Sequence, residues 1–413
     1  MQCHADRGLR LHRREFGALA AAGACAAALG EPARARPADA EPLRVRASDF
    51  RRAAPVALGS VRRGALPEAV ERAVRAAALA ATDMGWLSRG DTVLIKPACN
   101  SGNRYPATTD PIALRAMIGL LRERGAGRVI VADMAGVQSV RFSKDGLTGS
   151  TRALMERSGI ARATRDAGGG IHAFEEAGWD GFVADRPAAP GAWRDEIALP
   201  AILGEVDHVV LMPRCARHVL AGSTLGLKAA VGWWRHDSRL EYHRDAATFS
   251  EKTADANTVP AIAEKLRLTL TSATKVLSAF GPDTGTISEP DDGLVIASTD
   301  LVAHDMVSLA WLLENRSQLA PGVRDGVTTD PNTSGLAVNL MNRVVTNWLG
   351  GFGEALRADS LERYDLERIT DDRVLRRAFR SFGGIPTLEL VDADGALPEA
   401  LGTMLRERTR VAA

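Results

Sequence analysis

Lysine is scarce in this chain. Of 52 basic residues among 413, only six are lysine (Lys96, Lys144, Lys228, Lys252, Lys265 and Lys275), against 46 arginines. In a composition so biased to arginine, a lysine survives by chance or where a compact, titratable ammonium is needed. Net charge is also small: 52 basic residues offset 51 acidic ones, a formal +1. No global field therefore recommends nucleic acid or an anionic membrane as a partner. The four cysteines, Cys3, Cys25, Cys99 and Cys215, show no paired C-x-x-C spacing. That excludes a ferredoxin-type iron-sulfur motif and a disulfide framework. No segment is long and apolar enough to read as a transmembrane helix. What remains, 46% hydrophobic and 25% charged residues, is ordinary globular composition, sufficient for one large domain or two smaller ones.

The first forty residues read as an address. A basic start with Arg13-Arg14 and Phe16, an Ala-rich run to Gly30, and small-residue sites near Ala33-Arg34-Ala35 or Ala38-Asp39-Ala40 resemble a twin-arginine export signal. A lipid anchor at Cys25 is the minor alternative. The expected partner is the twin-arginine export machinery, and the expected destination is periplasmic or extracytoplasmic, reached in the folded state. That route is commonly used by proteins that take up a cofactor before export. Without residues 1–40 the count becomes 46 basic against 47 acidic, a charge of −1.

Beyond the leader, helical and strand patterns alternate. Leu66 to Met84 has helical spacing and Thr92 to Ile95 is a short apolar run. Asp110-Pro111 opens a helix through Arg124, and Arg128 to Ala132 is a Val/Ile strand ending at Asp133. The pattern then predicts a helix near Thr151 to Arg157 and a strand at Ile171 to Phe174. Residues 178–200 read as a surface excursion, followed by a buried strand at Asp207 to Met212 and a helix over Gly222 to Trp233. Further on come an amphipathic helix over Thr258 to Thr271, strands at Lys275 to Phe280 and Leu294 to Ser298, and a helix over Asp300 to Leu313. Continuous apolar strands separated by helices argue for a three-layer α/β fold, a mostly parallel sheet with helices on both faces. The expected units are the leader (1–40), an α/β domain (41–316) and a C-terminal α/β extension (317–413) packed on it.

Three polar clusters fall at strand ends, where such sheets bind ligands. The first runs from Lys96 to Pro111. Its Lys96, Asn100, Thr108 and Thr109 form a candidate anion-binding set, offering ammonium charge, hydroxyls and backbone N–H groups at a helix start. A polar loop with Asp110 as cap is the plainer reading. The second spans Pro213 to His243 and holds His218, Lys228, His236 and His243. Cys215 and His218, with His236 or His243, are candidate ligands for a transition metal, since thiolate and imidazole suit zinc, copper or iron. Satisfied histidines in a loop are the plainer outcome. The third is Ser298 to Asp305, with Asp300 read as a helix N-cap and Asp305 either solvent-facing or turned inward to a cation or lysine.

Taken in order, Val93-Leu94-Ile95-Lys96-Pro97, Thr108-Thr109-Asp110-Pro111, Val129 to Asp133, Val209 to His218 with Gly226-Leu227-Lys228, and Asp300 to Asp305 resemble domain-of-unknown-function family 362. The resemblance covers about residues 91–313. It implies an α/β fold with a shared pocket but no reaction. In that family the second motif usually reads Pro-x-x-Lys-x-His, followed by Thr-Gly-x-x-Lys-Asn. Here Ala216 and Ala229 stand at the Lys and Asn positions, while His218 and Lys228 match. Many relatives also carry ferredoxin-like cysteines, which this sequence lacks.

Two functional readings follow. In the first, Lys96, His218, Lys228, Asp300 and Asp305 converge on a small anionic substrate or cofactor, with His218, Lys228 and Asp305 as the catalytic candidates. The export route favours redox chemistry over hydrolysis or isomerisation. In the second, the same pocket serves a non-catalytic periplasmic protein that binds a metal, a cofactor or an anion.

Overall fold

The computed structural model describes residues 45–189 and 191–412. The leader features, from Arg13-Arg14 to Cys25, lie outside the described residues. At the centre is an eight-stranded sheet built from β1 (Phe50–Arg62), β2 (Thr92–Pro97), β3 (Arg128–Asp133), β4 (Gly170–Ala173), β5 (His208–Met212), β6 (Leu266–Ala273), β7 (Asp292–Ser298) and β8 (Ile385–Asp392). Across the sheet they lie in the order β8-β1-β7-β6-β5-β2-β3-β4. Only β7 runs antiparallel, against both β1 and β6. The three-layer α/β architecture expected from the apolar runs is therefore present.

Each central strand buries both faces, which is why its sequence lacks polar alternation. Val93, Ile95, Val129, Val131, Val210 and Leu270 pack beneath α1 (Pro67–Ala81) and α2 (Pro111–Glu123). Leu94, Ile130 and Val209 point the other way, into a core with Trp233 and Tyr242. Leu58, Leu294 and Ile296 meet α4 (Leu301–Ser317) and α5 (Arg373–Ser381) on that second face. Both α1 and α2 begin with proline at the first turn, where a missing N–H costs no hydrogen bond. The segment 317–413 contributes the edge strand β8, paired in parallel with β1 from Ala53 to Leu58.

Three local expectations need correction, and one strand is not anticipated. The helix expected over Thr258 to Thr271 is confined to Pro260–Ala263, and Leu266–Ala273 is a central strand. Its Leu-Thr-Leu-Thr alternation, with Leu268 and Leu270 on one face and Thr269 and Thr271 on the other, outweighs the helical spacing of the residues before it. Gly222 to Trp233 is not one helix but a strand, Gly222–Thr224, and a 3-10 turn, Leu227–Trp233. The excursion 178–200 contains an antiparallel pair, Phe182–Asp185 with Ile197–Pro200, whose Ile197, Ala198 and Leu199 are buried. The long strand β1, preceding the first helix, carries no expectation in the sequence reading.

Among the described residues no helix is long and apolar enough to cross a membrane. The strand assignment of Leu266–Ala273 is testable by stability. Leu270 is fully buried between two strands, whereas Leu356 is 63% exposed. Leu270→Ala should cost about 2–5 kcal/mol in denaturant unfolding, and Leu356→Ala within about 0.5 kcal/mol. Equal effects would contradict a central position for this strand.

Candidate functional site

Three neighbouring parallel strands, β5, β2 and β3, end together, with Pro97 paired to Met212 and Ile95 to Val131. Their carboxyl ends therefore bring Lys96, Asp133 and the Pro213-Arg214 turn to one edge of the sheet. Lys96 and Asp133 are both buried, and Lys96 Nζ lies 2.7 Å from Asp133 Oδ1. Nζ also donates to the Pro97 carbonyl at 2.9 Å. Asp133 is satisfied further by the backbone N–H groups of Cys99 and Met134, at 2.8 and 2.9 Å. Burial draws the Lys96 ammonium below its ordinary range, and the Asp133 charge opposes that shift. The 3-10 turn lies directly over this pair at Gly232, where a Cβ would collide with both Lys96 Nζ and Asp133 Oδ1.

A second, four-stranded sheet carries the next groups. Its strand Ala216–His218 pairs with Gly222–Thr224 and Val276–Phe280. Adjacent strand residues face opposite sides, so Arg217 and His218 diverge. Arg217 turns to Asp330 at 2.9 Å and Asn332 at 2.6 Å. His218 faces the strand ends. Its Nδ1 accepts the N–H groups of Leu220 and Ala221, at 3.0 and 3.2 Å. The ring proton must then sit on Nε2, which makes His218 a neutral N–H donor toward the cavity. Burial and the charges of Lys228 and Arg214 hold its pKa well below the ordinary histidine value.

Asp305 reaches inward from α4 and accepts the N–H groups of Gly226 and Leu227, at 2.9 and 2.7 Å. His304 Nδ1 contacts the same carboxylate at 2.9 Å. Asp305 therefore anchors the turn that carries Lys228 through the backbone, not through the ammonium. Lys228 itself makes no hydrogen bond or ion pair among the described residues. Its Nζ sits 5.5 Å from the Tyr242 ring centre and 5.6 Å from that of Phe249. Burial, then Arg214 and Arg239, lower its pKa to about 7.

Arg239, on α3 (His236–Arg244), donates to the carbonyls of Trp234, Ala135 and Met134 at 2.9, 2.5 and 2.9 Å. Burial brings its pKa down to about 10. Arg214 donates to the Ala107 carbonyl and stands 3.6 Å from Asp283. Its Nε and Nη2 are buried without a partner.

These groups enclose a cavity of about 60 Å³. Its lining holds Lys96, Arg214, Lys228 and Arg239 together with Asn100 and His218, and no Asp or Glu. Lys96, Arg214, Arg239 and the N–H donor His218 are buried and Lys228 partly so. Lys96 is balanced by Asp133 and Arg214 faces Asp283, so the cationic excess rests on Lys228 and Arg239, and it can bind a compact anion by charge-assisted hydrogen bonds.

Of the candidates from the sequence, Lys96, Asn100, His218 and Lys228 share this cavity, and Asp305 holds the turn behind it. Thr108 and Thr109 do not line it. Thr108 Oγ1 donates to the Asn103 carbonyl at 2.9 Å, and Thr109 bridges the Met212 carbonyl and the Ala98 N–H at 2.6 and 2.7 Å. Asp300 caps α4 by accepting from Val302 and Ala303, each at 2.9 Å. The candidate metal ligands go to separate places. Cys215 is buried with Sγ 3.4 Å from the Ser308 carbonyl, His236 meets the Val140 carbonyl at 2.9 Å, and His243 meets Asn342 at 2.8 Å. Burial lowers the pKa of both these histidines to about 3. Among the described residues, no three His, Cys, Asp or Glu side chains come together as metal ligands. Cys99 and Cys215 are both free and belong to separate cores.

The sequence reasoning missed Asp133, Arg214 and Arg239 as site residues. Asp133 had a usable signal, since it ends the parallel strand after the one that ends in Lys96. Arg239 had none, being one arginine among 46.

The family model described as a domain of unknown function (DUF362) matches residues 93–310, which contain every residue of the cavity. A search of curated proteins finds no match. Similar solved structures include a protein from Thermotoga maritima, at 15% identity and TM-score 0.39, covering 62% of this chain and 59% of that one. Another is the lactate racemase apoprotein from Thermoanaerobacterium thermosaccharolyticum, at 11% identity and TM-score 0.39, covering 64% and 58%. The chain thus spans a little under three fifths of the length of each of these structures.

The Lys96–Asp133 pair yields a stability prediction. Asp133→Ala should destabilise by about 3–5 kcal/mol, because it leaves a buried ammonium uncompensated. Adding Lys96→Met should recover part of that loss in denaturant unfolding. A double variant no more stable than the single one would mean that the two charges are not coupled.

Proposed function

The chain belongs to the DUF362 family, and we propose that in this member the cationic pocket at the strand ends binds a small oxyanion or carboxylate. The observation that carries this reading is that no Asp or Glu lines the cavity, while two of its cations, Lys228 and Arg239, have no ion-pair partner among the described residues. The unpartnered Nε and Nη2 of Arg214 support it, because a carboxylate or phosphate edge matches that planar fork.

Acid–base chemistry has weaker support than binding. His218 already uses Nδ1 as an acceptor and has only an N–H to offer, and Asp305 is occupied by backbone N–H groups. Lys228 is the one cavity side chain with reactive capacity, so an enzymatic reading rests on it. The non-catalytic reading uses the same pocket without turnover. Export also belongs to the proposal: the Arg13-Arg14 leader supports delivery of the folded protein to an extracytoplasmic location.

Titration calorimetry with sulfate and with oxalate, both dianions throughout the neutral pH range, tests the pocket. Affinity should be highest below about pH 7, where Lys228 is charged, and should fall as the pH rises through that value. Arg214→Met should weaken binding by about 1.5–3 kcal/mol, the loss of a hydrogen-bonded charge. Lys228→Met should remove the pH dependence near neutrality. Failure of both anions to bind at any pH, or binding unaffected by either variant, would refute the reading.

A further inference from the structure

The six lysines are not equivalent in their surroundings. Lys96 is held by Asp133, and Lys252 by Glu241 at 2.9 Å and Asp245 at 3.3 Å. Lys265 donates to the Leu203 and Val206 carbonyls at 2.5 and 2.7 Å, and Lys275 pairs with Glu289 at 2.8 Å. Lys144 is exposed on a hairpin. Lys228 alone combines a place in a cavity with the lack of any polar partner among the described residues.

Its surroundings suit an uncharged amine. On one side lie the faces of Tyr242 and Phe249, whose rings stack at 4.0 Å. Across the cavity lie two other cations, Arg214 and Arg239, and the neutral His218. Like charge and an apolar wall both favour loss of the ammonium proton, the combination that activates lysine as a nucleophile. On its far side Lys228 borders a second, much smaller cavity lined by Asp305 and Asp372. Asp305 is engaged by the N–H groups of Gly226 and Leu227, and Asp372 by that of Leu375 at 2.8 Å. His243, kept neutral by burial, is the remaining titratable neighbour.

We infer that Lys228 forms an imine with a small 2-oxo acid whose carboxylate is held by Arg214. The inference rests on the anion-binding reading and names its substrate class. The neutral amine adds its lone pair to the carbonyl carbon, and the C=O π electrons move to oxygen. The two amine hydrogens then leave with that oxygen as water, and a C=N bond to Lys228 Nζ remains. No oxidant, reductant or second substrate enters the step. A cavity of about 60 Å³ favours the smallest members of the class, such as glyoxylate or pyruvate.

The test uses the full-length protein with pyruvate and cyanoborohydride, which reduces an imine to a stable secondary amine. Peptide mass spectrometry should find one carboxyethyl group at Lys228, with Lys144 labelled only to background. Labelling should rise as the pH passes upward through about 7, opposite in direction to non-covalent anion affinity. Oxalate, which has the charge but no reactive ketone, should protect the wild-type protein, and Lys228→Arg should lose the label. Protection of the wild-type protein does not depend on any variant folding. If pyruvate binds by calorimetry but Lys228 stays unlabelled, the imine is refuted and the anion pocket stands. If neither pyruvate nor oxalate binds, both fall.

Discussion

The buried ion pair between Lys96 and Asp133 is the constraint on which the rest of the site depends. Two neighbouring parallel strands end in opposite charges 2.7 Å apart, away from water. Neither charge is tolerable there alone, since the desolvation of each is offset only by the other and by well-placed hydrogen bonds. The pair also sets the loops around it. Asp133 holds the N–H of Cys99 at 2.8 Å, which directs the loop bearing Asn100, and glycine at 232 lets the 3-10 turn carrying Lys228 close over the top. Strand register, loop path and turn placement thus converge on one contact.

The remaining cations are accommodated differently. Arg239 is surrounded by the carbonyls of Ala135, Met134 and Trp234, and Arg214 is held by that of Ala107 with Asp283 3.6 Å away, outside the cavity lining. Carbonyl dipoles stabilise a guanidinium without placing a competing anion in the cavity. Asp305 works in the same spirit: it fixes the turn through two backbone N–H groups, so its charge does not neutralise Lys228. This division of labour allows a lining with four cations and no carboxylate, while the chain as a whole has a formal charge of only +1.

How much of this was legible in the sequence depended on whether the signal was local. The strand-terminal Lys96, the Asp300 cap and the apolar strands β2, β3 and β5 announce themselves within a few residues. So did the cluster of scarce residues around His218 and Lys228, because lysine and histidine are rare here. Leu266–Ala273 reads as a continuation of the helix before it because its Leu-Thr alternation spans only a few residues, and its partners β5 and β7 are distant in sequence. The metal set looked plausible from residue type, but spacing along a chain does not report direction. Cys215, His236 and His243 each turn to a different backbone or amide partner. Arg239 gave no signal because its role comes from three carbonyls brought to it by the fold.

Gathering several like charges in and around a buried cavity is unfavourable, and the partly buried Lys228 shows how the fold limits the cost. With its pKa near 7 the amine can shed its proton at neutral pH, which lowers the repulsion with Arg214 and Arg239. A bound anion relieves the same repulsion by supplying counter-charge, and so favours the protonated amine again. Proton and anion therefore bind cooperatively at this site, each raising affinity for the other. Ligand stabilises the folded protein by mass action, and through that coupling does so more strongly at the pH where its affinity is higher. A carbonyl-bearing anion meets both states: its carboxylate pairs with the arginines and favours the protonated amine, so addition of the amine to its carbonyl requires the loss of that proton and works against this coupling.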